Sequence, residues 1–329
     1  MPNPVQSAVI SSAARNPSSL SSLVRALCGR GICFFLALVF LAAAHSVAAQ
    51  IPTKSPRILG IASVRLYSTN LDSAGFYQKV FGGNMTLGDE PIGKDPLKIP
   101  LVMIFRSGQT LSLSNPLDER PQNFLAEVVF ATDDMKGVKK YLSAHHISEE
   151  KLNSAGKDYF SVLDPEGHRI GFTEAMFPPG PRPSHAMQII HAGFIVHDRA
   201  AMEHFYKDIL GFRPYWHGGR NDDGIDNWVS FQVPDGSDWI EFMLNVPDNA
   251  DKRLRGIMNH IALGVTDIHA AQEQLRKNGA PLTEEPKIGR DGKWQLNLYD
   301  PDGTRVEFME FTPVQKPCCS EFTAPHPKP

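Results

Sequence analysis

Four residues in the second half of this 329-residue chain carry side chains suited to holding a cation: His191, Glu241, His260 and Glu307. His191 and His260 each lie in a short apolar run and are each followed, seven residues later, by an aspartate, Asp198 and Asp267. Glu241 in Trp239-Ile240-Glu241-Phe242-Met243-Leu244 and Glu307 in Val306-Glu307-Phe308-Met309 interrupt stretches that are otherwise apolar, where an unpaired carboxylate is costly to bury. Two imidazoles and two carboxylates suit one borderline divalent ion, Zn, Ni, Co, Fe or Mn, and not an all-oxygen calcium cage. A lone strand histidine is more often a hydrogen-bonded core residue than a ligand, and one such glutamate is commonly a surface or edge residue. Register reverses that weighing, because the four occupy matching places of a repeated unit.

The repeat supplies the elements that must position them. Ser73 to Gly82 and Met202 to Gly211 both place an aromatic pair, Phe76-Tyr77 and Phe205-Tyr206, on an amphipathic helix that stops at a glycine. Alternating stretches precede each, Val64-Arg65-Leu66-Tyr67 and Ala192 to Val196, and read as strands. Two further strand-to-helix units begin at Glu127 and His260; Asp267 is a plausible N-cap and Gly279 a stop for the last helix. Starts at 63, 127, 191 and 260 are separated by 64, 64 and 69 residues, with room after each helix for about three strands. Units two and four both end on a turn and a strand, Asp164-Pro165-Glu166-Gly167 and Asp300-Pro301-Asp302-Gly303 leading to Glu174 and Glu310. The expected class is α+β, with four βαβββ units in two pairs joined by a Pro-rich linker at 178–186.

The run Asn259-His260-Ile261-Ala262-Leu263-Gly264-Val265, the Phe-Tyr…Leu-Gly helix and the Asp-Pro-Asp-Gly ending four residues before Glu307 resemble the glyoxalase I / bleomycin resistance / extradiol dioxygenase superfamily. That resemblance covers about Ile58 to Thr312 and implies paired modules curling their strands around a shared cavity. It also implies a choice of chemistry. A glyoxalase I-like lyase or isomerase matches all four ligands and roughly their spacing, with Glu307 as the proton-abstracting base and Glu241 as the other carboxylate ligand. An extradiol dioxygenase resembles the four-unit layout and would use His191, His260 and Glu307. That family places a further histidine before the last turn, and Gly289 to Leu298 contains none. A small-molecule-binding protein of the bleomycin-resistance kind would need neither metal nor proton transfer.

The first half, 50–177, shows the unit without its ligands. Ser63 stands in the place of His191, Glu127 in that of His260 and Gly171 in that of Glu307; the last counterpart falls at Leu111 or Ser112. One carboxylate is not a site, and this half is expected to be structural, a lid or a dimer surface. The loop His217 to Asp226 lacks EF-hand spacing and reads as a flexible loop over the cavity mouth. Arg213, Arg220, Lys287, Arg290 and Lys293 are candidates for meeting an anion, Trp216, Trp228, Trp239 and Trp294 for lining the cavity, and His145-His146 for facing solvent.

Arg25 and Arg30, an apolar run from Ile32 to Ala44 and Val47-Ala48-Ala49 describe a secretory signal peptide over 1–49, cleaved after Ala49. The run is too short for a span, which needs about 20 apolar residues. The exported chain then keeps only Cys318 and Cys319, in a Pro-rich tail, 314–329, that reads as disordered. Glutathione is mainly a cytoplasmic thiol, so an exported lyase of this type is expected to act on something else. A composition 42% apolar and 21% charged with net charge −3 is that of a globular protein with no electrostatic footprint for nucleic acid. The expected partners are a small-molecule substrate and, as an open alternative for the first half, a second copy of the chain in a homodimer.

Overall fold

The structure, a computed structural model, describes residues 55–68, 72–82, 86–87, 101–105, 107–114, 124–151, 158–174 and 188–329. The expected signal peptide and linker therefore lie outside the described residues. Unit one contributes β1 (Gly60–Tyr67), α1 (Asp72–Phe81), β2 (Thr86–Leu87), β3 (Leu101–Ile104) and β4 (Thr110–Ser114). Unit two contributes β5 (Leu125–Ala131), α2 (Met135–Ala144), β6 (Tyr159–Leu163) and β7 (Arg169–Thr173). Unit three runs through β8 (Gln188–Ile195), α3 (Arg199–Glu203), β9 (Arg213–Gly218), β10 (Trp228–Gln232) and β11 (Trp239–Met243). After a connecting helix, α4 (Lys252–Met258), unit four follows as β12 (His260–Val265), α5 (Ile268–Lys277), β13 (Lys287–Ile288), β14 (Trp294–Tyr299) and β15 (Arg305–Glu310).

Two sheets result, ordered β2-β3-β4-β1-β5-β7-β6 and β13-β14-β15-β12-β8-β11-β10-β9. In every unit the first strand lies parallel to the last strand of the same unit and antiparallel to the first strand of its partner unit. Unit two departs from the expected three closing strands. Among the described residues it has two, with an isolated bridge between Glu149 and Val162 in place of the third. Unit three departs within its helix, where α3 gives way to a π-turn at His204–Ile209 and Leu210 N–H donates to Phe205 O across five residues. The wider turn keeps Phe205, Tyr206 and Ile209 together on the buried side.

Local signals explain most element ends. Asp134, Asp198, Asp251 and Asp267 each accept a backbone N–H in the first turn of the helix they cap. Gly82, Gly211 and Gly279 take φ of 66°, 77° and 72° where their helices stop, a region a side chain disfavours. One apolar core runs through both sheets, from Ile61 and Phe130 to Phe194, Phe242 and Phe308, and Ile51–Pro329 forms one compact unit.

The motifs that recur in the repeat tie the halves together. Tyr77 of α1 donates to Asp300 at 3.1 Å, and Tyr206 of the π-turn donates to Asp164 at 3.1 Å. Unit one thus locks onto unit four, and unit three onto unit two. Each aspartate also accepts N–H groups from its own turn, Asp164 from Glu166 and His168, Asp300 from Asp302 and Thr304. Burial, then the facing carboxylate, push both tyrosines far up, so they remain donors; burial also lifts Asp300 to about 6.

The tail corrects the expectation of disorder. Val314 N–H donates to Gly292 O and Cys318 N–H to Arg290 O, both beside the β13–β14 turn. The chain then crosses to β9, where Trp216 Nε1 donates to Cys318 O, His217 N–H to Ser320 Oγ and Thr323 N–H to Tyr215 O. Phe322 packs on Tyr215 with ring centres 4.9 Å apart, and Cys318 and Ala324 join the same cluster. Its prolines favour an extended backbone without internal hydrogen bonds, which leaves the tail's N–H and C=O groups free for both strand edges. Cys318 and Cys319 are bonded to each other within this strap. No helix among the described residues is long and apolar enough to cross a membrane.

Replacing Tyr206 by Phe removes one buried hydrogen bond to a carboxylate, so stability should fall by about 1.5–3 kcal/mol. Tyr77→Phe should behave alike, and the midpoint of denaturant unfolding measures both.

Candidate metal centre

Two rows of side chains cross the middle of the eight-stranded sheet. In the first, Ser230 of β10 faces Glu241 of β11, which faces Gly193 of β8, then His260 of β12, then Arg305 of β15. In the second, Trp239 of β11 faces His191 of β8, then Ala262 of β12, then Glu307 of β15 and Asn297 of β14. Neighbouring rows are two residues apart, so both point from the same face of the pleat. Each row contributes one imidazole and one carboxylate.

The structure brings all four expected residues together. His191 Nε2 and His260 Nε2 are 3.0 Å apart. Glu307 Oε2 lies 3.7 Å from His191 Nε2 and 3.6 Å from His260 Nε2, and Glu241 Oε2 lies 3.6 Å from His260 Nε2. Donor atoms of His191, Glu241 and His260 all fall within 4.8 Å of one another. Ligands held about 2.0–2.2 Å from a single ion must stand about 3–3.5 Å apart, a spacing that the two imidazoles meet and the nearest glutamate contacts approach.

Electrostatics agree with that fit. Both histidines are fully buried. Burial, with Arg305 next in order, holds both imidazoles well below their ordinary value and therefore neutral. Their contacts with the glutamates are thus not ion pairs, and each neutral ring offers one lone pair. His260 Nδ1 is 3.3 Å from Met258 O, which places its proton on Nδ1 and its lone pair on Nε2, toward the glutamates. Burial, reinforced by Glu307, raises Glu241 to about 8, and burial also raises Glu307. Besides these donors, the cluster holds one positive charge, the Arg305 guanidinium 3.7 Å from Glu307 Oε2.

Gly193 is what makes the arrangement possible. A Cβ at this position would stand 2.0 Å from His260 Cε1 and 2.8 Å from its Nε2. No signal in the sequence marks Gly193 as a site residue. In the first half the corresponding place in the ladder belongs to Arg65, opposite Glu127, and Arg65 Nη1 lies 3.5 Å from Glu127 Oε2. Tyr159 donates to the other Glu127 oxygen, its ring filling the space beside Gly171. The ladder also settles the last counterpart, since Arg65 faces Ser112 as Gly193 faces Glu241. A guanidinium and a phenol hold the carboxylate there.

A cavity of about 620 Å³ opens onto the two rows, lined by Glu241, Glu307, Arg305 and Asn297, with both histidines beneath its floor. Trp216, Trp228 and Trp239 also line it, whereas Trp294 packs on His269 away from it. Lys287 and Arg290 reach its rim; Arg213 instead binds the carbonyls of Val233 and Gly236. Lys293 is wholly buried, its Nζ 3.1 Å from Tyr215 Oη and 4.6 Å from the Trp239 ring centre, and burial lowers it to about 8. Arg305, Cys318 and Phe322 were not among the sequence candidates. The loop after His217 does not line the cavity; it is held by Arg290, which donates to Gly219 O at 3.1 Å and pairs with Asp222, and by a 2.8 Å contact between His217 and Asp226. His146 is exposed as expected, but His145 lies half-buried against Tyr141.

Residues 188–308 match the sequence profile described as Glyoxalase/Bleomycin resistance protein/Dioxygenase superfamily. The chain is 32% identical over 126 residues to lactoylglutathione lyase of Haemophilus influenzae, covering 38% of this chain and 93% of that protein. Among solved structures it resembles homoprotocatechuate 2,3-dioxygenase of Brevibacterium fuscum, with a TM-score of 0.55 at 19% identity over 79% of this chain and 74% of that one. Catechol 2,3-dioxygenase is similar at a TM-score of 0.55 and 16% identity, over 83% of this chain and 96% of that one.

Gly193→Ala should displace the His260 ring and cut affinity for a divalent ion at least ~10-fold, the range for disturbing a ligand's orientation, with the fold retained by circular dichroism. A second expectation concerns pH. Glu241 keeps its proton up to about pH 8, so a cation must displace it below that pH, while the neutral histidines release none. Metal affinity should therefore climb with pH and level off above about 8, by at most ~10-fold per unit for one proton released. Isothermal titration in buffers of different ionisation heat would count that proton.

Proposed function

The chain belongs to the glyoxalase/bleomycin resistance/dioxygenase superfamily, and from that premise we propose that it is an exported, divalent-metal-dependent enzyme catalysing lyase- or isomerase-type proton transfer on a small oxygen-chelating molecule. The observation that carries this reading is the gathering of His191, Glu241 and His260 within 4.8 Å, with Glu307 within 3.7 Å of both imidazoles, beside a cavity that both glutamates line. A two-histidine, one-carboxylate site would leave Glu241 without a role. The likeness to lactoylglutathione lyase supports the same choice.

A divalent ion at this point would supply Lewis acidity to adjacent oxygens of the substrate. The remaining work belongs to the side chains. Glu307 is the proposed base: it reaches the cavity, and burial raises its basicity above that of a surface carboxylate. Trp216, Trp228 and Phe322 exclude water from one side of the cavity. Asn297, beside Glu307 in the ladder, offers an amide to a substrate oxygen. His191 and His260, buried beneath the cavity floor, are assigned as ligands and given no part in proton transfer.

Export rests on the N-terminal sequence. The ring-cleaving reading has the layout of the structural neighbours in its favour. Against it, the β14 wall presents Gln295 and Asn297 to the cavity, and no histidine.

Elemental mass spectrometry of the chain from Gln50 should find about one transition metal per molecule, and none in a His191→Ala/His260→Ala double variant. A wild-type protein that stays metal-free after reconstitution would leave a small-molecule-binding protein as the better account. Glu307→Gln should abolish turnover and weaken the metal, whereas Glu127→Gln, in the half without a site, should alter neither. Equal damage from both would overturn the division of labour between the halves.

A further inference from the structure

The first row of the site ends on a cation that the four-ligand account does not use. Arg305 stands two residues before Glu307 on β15 and so shares its face. Its Nη2 is 2.7 Å from His260 Nε2 and 3.7 Å from Glu307 Oε2. A guanidinium only donates, so the Nη2 hydrogen occupies the lone pair of His260 Nε2, the one a metal would need. The two uses of that lone pair are mutually exclusive. Arg305 Nε, meanwhile, is buried with no partner at all. An unmade hydrogen bond of this kind is costly, so the group is poised to donate one to an acceptor from outside the fold.

We propose that Arg305 is the second cation of this centre: it holds the place of the metal at His260, and once displaced it anchors a carboxylate of the ligand. When His260 Nε2 is taken, Arg305 is left with unsatisfied N–H groups on a planar fork that lines the cavity. Such a fork pairs with a carboxylate in a bidentate way that no single amine reproduces. The ligand class that follows is an anion whose carboxylate adjoins its chelating oxygen, as in a 2-oxo or 2-hydroxy acid. In the first half the residue two before Gly171 is Arg169, and its partner is Glu150, with Nε 2.8 Å from Oε2. There the same position is spent on a structural pair; at Arg305 the Nε is left open.

The proposal rests on the metal reading of the site, and the test separates the two. Zinc affinity is measured by competition with a chromophoric chelator, for wild type and Arg305→Gln, followed by titration of the zinc-loaded proteins with oxalate. Arg305→Gln should bind zinc about 10-fold more tightly, because a competitor for His260 and a nearby positive charge are both gone. Structural damage would loosen the metal, so a gain in affinity is diagnostic. Oxalate should bind the loaded variant about 10-fold more weakly, as one bidentate charged contact is lost. Zinc affinity in Arg305→Gln equal to or below that of wild type overturns the placeholder role, and unchanged oxalate affinity overturns the anchor. If wild type itself holds no zinc, both this proposal and the metal reading fail. Should Arg305→Gln not fold, Arg305→Lys keeps the charge without the fork, and its oxalate affinity should still fall several-fold.

Discussion

The antiparallel pairing of β8 with β12 governs the second half of the molecule. It sets His191 against Ala262 and Gly193 against His260. Both imidazoles can then project from adjacent strands into one place only because neither meets a side chain of any size across the β8–β12 pair. Strands 4.7–4.9 Å apart leave no room for two opposed rings and a third bulky neighbour. The parallel strands on either side, β11 and β15, complete the rows with glutamates. The cost of crowding neutral rings and raised carboxylates at the sheet centre is accepted at this one point, and the hydrophobic core around it holds the arrangement in place.

The first sheet shows the same constraint answered differently. Where Gly193 admits a ring, Arg65 extends toward Glu127; where Glu307 reaches inward, Gly171 makes way for Tyr159. Positive charge arrives there on a covalently attached guanidinium, which is fixed in number and cannot be exchanged. The two sheets are therefore alternative solutions for a carboxylate buried at the same lattice point of a pleat.

The sequence carried the repeat and the ligand positions because both follow from spacing. His191 and His260 were legible as equivalent, and the glutamates stood out within apolar strands. Gly193 was not, since a glycine that exists to leave room has no chemistry of its own to notice. Arg305 was hidden by proximity to Glu307, reading as an ordinary charged residue after a turn. The tail was misread for a physical reason: proline-rich composition predicts disorder from the loss of internal hydrogen bonds, yet Phe322 and Cys318 supply enough burial to fix an extended segment against a strand. The aspartates of the two turns and the tyrosines of the two helices were visible as motifs, but only the structure shows that they bind one another across the halves.

The path of the tail has a consequence for how the molecule behaves among its own kind. β9 is the last strand on its side of the eight-stranded sheet, and such an edge ordinarily presents unpaired peptide groups on which another chain can align. Here Tyr215 O receives Thr323 N–H, while His217 N–H and His217 O are both engaged by Ser320 Oγ. At the far end, β13 is only two residues long. A sheet with one edge strapped over and the other this short resists strand-by-strand self-association, and loss of the last fifteen or so residues would convert the β9 border into an aggregation front.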